Sequence, residues 1–387
     1  MNMVSLPAES SLCGIHIHDG TERGRNAGQQ RFQDRLHVLG LDRYVSAMQW
    51  GNGKEWFVGF GLLGAGRDGD RNPAFDAGVL DTTRLCRVLG LDTQQNPDDL
   101  EREILLAMLA SPVSFSFPSY DELASAVSIR KNIVQNARRT ALAFDTEHAE
   151  RPDEFWSYDL ARGFTIKPGK QLIEALQKTT QPDRSGKLYS FSCYRATEYV
   201  LLLSIAQELA DSNPPVLAQL QQQWETRAIM SGQFHDVFLH EYGSMTEPLP
   251  PKYYVPGDRL WFRNPDEHSS NVEGYEGSWV FYLGDGLFTN FWKRDQPFTL
   301  RTKCVELFHW RNGTYRNGDG KLLVDDDVVD ERVAQSLQDE AEVDRIVDLM
   351  LRLRDPGGVY RDGGCVDTTR ECARRVRPGS CELVFPG

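Results

Sequence analysis

The chain has 387 residues, 40% hydrophobic, 26% charged and 10% aromatic, a composition suited to a folded globular protein with room for more than one domain. Its formal net charge of −13 argues against nucleic acid as the main partner, because holding phosphates takes clustered lysine and arginine. No apolar run approaches the roughly 18 residues of a membrane span. The opening "MNMVSLPAESSLCGIHIHDG" also lacks the basic segment and long apolar core of a signal peptide, so cytoplasmic synthesis is expected, with signal-independent export left open.

Residues 1–95 are rich in glycine and aspartate and weakly periodic, an N-terminal extension of unknown role. The pentapeptide "VLGLD" occurs at Val38–Asp42 and Val88–Asp92 and reads as two helix ends, each stopped by its glycine, rather than as a repeat. His16 and His18 alternate with Ile15 and Ile17, which puts both imidazoles on one face of a strand; two histidines alone make an incomplete ligand set, and no metal is expected. "GFGLLGAG" spells a dinucleotide-loop pattern, but the glycine-, aspartate- and proline-containing stretch after it cannot continue a helix, so it reads as a turn and no cofactor is expected. "DGDRNPAFD" and "DDDVVDE" read as solvated acidic surface, the second at a helix N-terminus.

From Asn96 helices follow in order. Asn96 caps "PDDLEREILLAMLA", with proline at the first helical position. Ser119 and Glu122 have capping-box spacing before an amphipathic run. Further helices are expected over "KQLIEALQK", from Cys193, and over "VLAQLQQQWETRAIM". After Gly232 the segments "FHDVFLHEY", "DRLWFR", "SWVFYLG", "LFTNFW" and "VELFHW" are short, aromatic and β-branched, and predict an antiparallel meander. The expectation is an α+β domain over 96–310, then a C-terminal part over 311–387 with one long charged helix and an irregular tail.

Seven widely spaced cysteines with no CxxC pair are neither a disulfide framework nor a structural zinc set, and the three in the tail read as reduced thiols, with a tail disulfide left open for an oxidising setting. Cys193 stands apart, where "YSFSC" turns into a long apolar helix. A thiol at a helix start faces unpaired backbone N–H groups, which lower its pKa and can hold an oxyanion. It still requires a base within hydrogen-bond reach.

"VPGDRLWFRNP" and "GSWVFYLGDGLFTNFW" resemble paired strands of the NlpC-type branch of papain-like cysteine hydrolases. Together with "LLAMLASPVSFSFPSYDELASAVSIRKNIVQNARRT", "KLYSFSCYRATEYVLLL" and "VFLHEY", in that order over about 105–300, they resemble the spore-coat protein-glutamine γ-glutamyltransferases more closely. The resemblance implies helices packed on an antiparallel sheet, no cofactor, protein substrates with exposed glutamine and lysine, and a spore setting. It puts Cys193 at the nucleophile, Asn290 at the third polar position and Ser278 where those transferases carry a glutamate base; Ser192 also replaces a common glutamate. Glu276, two residues before Ser278 on the same strand face, and His240 in "FLHEY" are the replacement bases, and the aromatic residues Tyr189, Trp261, Trp279, Phe288 and Trp292 are candidates to shield a thioester from water. Three outcomes stay open: a crosslinking acyltransferase, a cysteine amidase or deamidase on the same scaffold, and an inactive binding relative.

Overall fold

A computed structural model of the chain describes residues 13–51, 56–63, 80–143, 149–354 and 364–386; "DGDRNPAFD" and the last three residues of "GFGLLGAG" lie outside them. The chain opens with β1 (Gly14–Ile17), α1 (Glu22–Val38), β2 (Val45–Gly51) and β3 (Trp56–Leu62). Ile15, Ile17, Val58 and Phe60 are buried, and Phe32 and Leu36 of α1 join them in the main core. His16 and His18 do share a side, His16 stacked on Phe57 and His18 tilted against it, with ring centroids 4.5 and 4.9 Å away. α2 (Leu85–Leu89), α3 (Pro97–Leu109), β4 (Ser114–Phe117) and α4 (Tyr120–Arg139) follow, with β4 pairing parallel to β1 in the order β2-β3-β1-β4. Both "VLGLD" glycines end their helices in the left-handed region, Gly40 at φ +68° and Gly90 at φ +67°. Asn96 caps α3 as expected. Ser119 accepts from the Glu122 N–H, but the Glu122 carboxylate bonds Val376 N and Ser380 Oγ of the tail instead of closing a capping box.

The middle of the chain is β5 (Leu142–Ala143), β6 (Trp156–Asp159), β7 (Gly163–Ile166), α5 (Leu172–Thr180), α6 (Pro182–Ser185), β8 (Tyr189–Ser190), α7 (Cys193–Ser212), α8 (Pro214–Thr226) and α9 (Ser231–Phe238). α7 carries charged residues near both ends, but its middle run from Tyr199 to Ala206 is buried on every side, as befits a helix through the core. One hydrophobic cluster runs from Ile15 through α3, α4 and α7 to Val376, so the N-terminal sheet and the helices share a core.

The remaining elements are β9 (Leu239–Tyr242), β10 (Arg259–Arg263), β11 (Gly277–Gly284), β12 (Leu287–Phe288), β13 (Phe298–Thr299), α10 (Leu300–Gly313), β14 (Thr314–Arg316), β15 (Leu322–Val324), α11 (Asp326–Ser336), α12 (Glu340–Met350) and β16 (Arg370–Ala373). The main sheet is antiparallel, in the order β13-β12-β11-β10-β16-β9. The α+β class therefore holds, with four corrections. "VELFHW" lies in α10, because the Thr299–Thr302 capping box starts a helix there. "FHDVF" is α9, and only "LHEY" is a strand. The long charged helix is two, α11 and α12, because Asp339 caps a new N-terminus. The tail is not wholly irregular: β16 inserts between β10 and β9, so the sheet is no simple meander. α10, α11 and α12 form a second core with Phe262, Tyr282 and Phe288.

Candidate active site

β8 pairs with β5, and two residues later the chain turns into α7. Ser192 is the N-cap, its hydroxyl accepting from Arg195 N at 3.2 Å, which leaves Cys193 as the first helical residue. The Cys193 thiol is half-buried against β11, where the Trp279 backbone N–H favours the charged form of the sulfur. Its pKa is raised, contrary to the expectation from helix position. Burial outweighs the Trp279, Tyr194 and Cys193 N–H groups and the charge of Lys303, all of which pull it down.

Trp279 is held from three sides. Its ring stacks on Trp261 at 5.8 Å, takes the edge of Tyr194 at 5.1 Å, and lies 3.9 Å from the Arg259 guanidinium. Arg259 donates to Thr197 Oγ1 at 2.8 Å and pairs with Glu371 of β16. One turn beyond the cysteine, the fully buried Glu198 pairs with Arg195 at 2.7 Å and accepts from Ser231 Oγ. Burial raises the Glu198 pKa against the pull of Arg195.

A cleft of about 1030 Å³ opens beside the helix start, and its lining includes Ser192, Arg195, Tyr189 and Glu276. Its floor is the buried trio Trp156, Tyr199 and Trp224, braced by Arg151, whose guanidinium lies 4.3 Å from Phe191 and 4.9 Å from Tyr199. Glu276 is exposed, just ahead of β11, and accepts from Gly274 N at 3.1 Å. Ser278 is buried on β11 opposite Phe262.

The other expected site residues are committed elsewhere. Asn290 spends both ends of its amide on its own loop, donating to Gln296 O and accepting from Lys293 N, each at 3.1 Å. His240 sits on β9, paired with Glu382 at 2.7 Å. Two strands separate β9 from β11, about 14 Å of sheet at ~4.8 Å per strand. Among the shielding aromatics, Tyr189 lines the cleft and Trp261 and Trp279 stack on each other beside Tyr194, whereas Phe288 belongs to the second core and Trp292 packs on the main one.

Two participants were missed from the sequence. Lys303 is buried on α10, bonded to Glu306 at 2.9 Å, and its i, i+3 spacing to Glu306 is a helical signal hidden by reading "VELFHW" as a strand. Arg259, inside "DRLWFR", carries no local signal of its role, because its partner Glu371 lies 112 residues away.

Comparison with known proteins gives a consistent picture. The family model described as protein-glutamine gamma-glutamyltransferase matches residues 85–376. A protein-glutamine gamma-glutamyltransferase of Halalkalibacterium halodurans is 28% identical over 214 residues, 52% of this chain and 67% of the relative. One from Bacillus mycoides is 26% identical over 195 residues, 49% of this chain and 64% of its own length. One from Bacillus licheniformis is 21% identical over 200 residues, 50% of this chain and 74% of its own.

Proposed function

Given that this chain belongs to the protein-glutamine gamma-glutamyltransferase family, we propose that it crosslinks proteins by joining glutamine to lysine through a thioester on Cys193. The observation that carries this reading is the placement of Cys193 at the first residue of α7, with an aromatic cleft beside that helix start. Glu276 is the base that this arrangement favours, because it lines the same cleft as Ser192, while His240 lies across the sheet.

Glu276 takes the thiol proton and the sulfur attacks the γ-carbonyl carbon of a bound glutamine, forming the C–S bond. Backbone N–H groups at the start of α7 stabilise the oxyanion. The C–N bond then breaks, and the nitrogen leaves as ammonia with the proton Glu276 held. A lysine ε-amine attacks the thioester, gives its proton to Glu276, and the thiolate departs to be reprotonated, leaving an isopeptide bond. Arg195 is neutralised by Glu198 and serves to fix the helix start at the cleft mouth. When water replaces the amine, the product is glutamate. A spore-associated setting belongs to the same proposal and rests on the resemblance of the segments quoted above.

The test is incorporation of a fluorescent primary amine into casein, with ammonia release followed in the same reaction. Wild type is expected to incorporate amine, Cys193→Ala to lose all of it, Glu276→Gln to lose at least 100-fold, and His240→Ala to stay within a few-fold. Ammonia without incorporation would make the enzyme a deamidase. Full activity in Glu276→Gln would remove that residue from the mechanism.

A further inference from the structure

The cleft beside the start of α7 has an apolar rim that packing within the fold does not require. Tyr158 on β6 is 62% exposed, and Leu160, at the tip of the β6–β7 hairpin, is 89% exposed. Met230, between α8 and α9, is 46% exposed. A Cβ on Gly163 of β7 would stand 3.4 Å from the Met230 sulfur, so that side chain lies against the hairpin. Tyr158 packs on Phe164 with ring centroids 4.8 Å apart, and Tyr158, Phe164 and Met230 all line the cleft. Apolar side chains gathered in water at the edge of a cleft mark a contact surface.

The charges of the same cleft are unevenly committed. Lys187 pairs with Glu150 at 3.0 Å and Arg195 with Glu198 at 2.7 Å. Arg151 is buried among the Phe164, Phe191 and Tyr199 rings. Asp153 stands near Lys187, but Glu273 and Glu276 are exposed and have no ion-pair partner among the described residues. The charge left over for a ligand is therefore negative, which favours a cationic partner.

We propose that this rim docks the polypeptide that donates the glutamine. An aliphatic or aromatic residue beside that glutamine lies against Tyr158, Phe164 and Met230, and a nearby lysine or arginine faces Glu273. A glutamine amide is small and uncharged, so the residues flanking it have to supply the binding energy that holds it at the thiol. The thioether of Met230 adapts to apolar side chains of different shape. The inference rests on the acyl-transfer reading in calling this polypeptide the glutamine donor.

The experiment follows fluorescence anisotropy of labelled peptides on the full chain carrying Cys193→Ala, which reads binding without chemistry, and ammonia release from the same peptides with wild type. The parent peptide is Gly-Phe-Leu-Gln-Arg-Arg-Gly; one control replaces Phe-Leu by Ser-Gly, the other Arg-Arg by Glu-Glu. The parent is expected to bind at least tenfold more tightly than either control and to turn over with a correspondingly lower KM. Tyr158→Ser is expected to remove the preference over the Ser-Gly control, and Glu273→Lys the preference over the Glu-Glu control; both positions are exposed, so the fold tolerates the changes. Equal binding of the three peptides, or preferences unchanged in both variants, would overturn the proposal. A Tyr158→Ser enzyme whose KM rises for the amine alone would assign the rim to the acceptor and overturn it too. Ranked binding without ammonia release would sink the acyl-transfer reading and leave the docking surface standing, and ammonia release with unranked binding would do the reverse.

Discussion

A cysteine at a helix N-terminus is often treated as an activated thiolate, but Cys193 shows two opposing effects on one sulfur. Three backbone N–H groups and the Lys303 ammonium favour the charged form; burial against β11 disfavours it more strongly, and the net shift is upward. The thiolate is therefore a minor species at neutral pH. Alkylation of Cys193 by iodoacetamide should have its midpoint above the ~8.5 of a free cysteine, and amine incorporation should climb toward alkaline pH with it. Lys303→Met should move the alkylation midpoint higher still, since it removes a positive charge near the sulfur. An unchanged midpoint in that variant would show that the Lys303 field does not reach the thiol.

At the scale of elements, the turn between β11 and β12 is tied down from a distance. Asp285 sits there at φ +54°, the one non-glycine residue of positive φ among the described residues. Its N–H donates to the carboxylate of Glu103 on α3, which also takes the Tyr282 hydroxyl at 2.9 Å and the Cys86 thiol at 3.0 Å. These donors favour a charged Glu103, yet complete burial prevails and raises its pKa from 4.5 to about 7. A carboxyl raised in the folded state contributes stability that is fully present below its unfolded pKa and is lost as pH rises through the folded value. Stability should thus decline between pH 4.5 and about 7 through this group, by up to about 3 kcal/mol. Glu103→Gln should flatten the melting temperature over that window, and an equally steep profile in the variant would assign the effect elsewhere.

For the whole molecule, the order β10-β16-β9 makes the last part of the chain internal to the main sheet. β16 brings Glu371 to the buried Arg259, and the segment after it brings Val376 and Ser380 to the buried Glu122. Ending the chain at residue 354 would break the strand order and leave Arg259 buried without its carboxylate. Removing one partner of such a pair costs about 3–5 kcal/mol, a large part of the roughly 5–15 kcal/mol that keeps a domain folded. The shortened chain should lose its cooperative thermal transition and expose Cys193 to rapid alkylation. A transition like that of the full chain would mean that the sheet closes without β16.

The features legible without the fold are set within a few residues of chain. The caps at Asn96 and Ser119, the glycine stops of the "VLGLD" pair, the helix at Cys193 and the strands "RLWFR" and "SWVFYLG" are set by local hydrogen bonding and periodicity, and the motif order was enough to point to the family. Other features depended on partners far away in the chain. "VELFHW" has strand-like composition, yet the Thr299 cap and the packing of α11 and α12 make it helical. The direction of the Cys193 shift, the separation of His240 from it and the place of β16 were decided by tertiary structure alone, because burial and strand order arise only when distant segments meet.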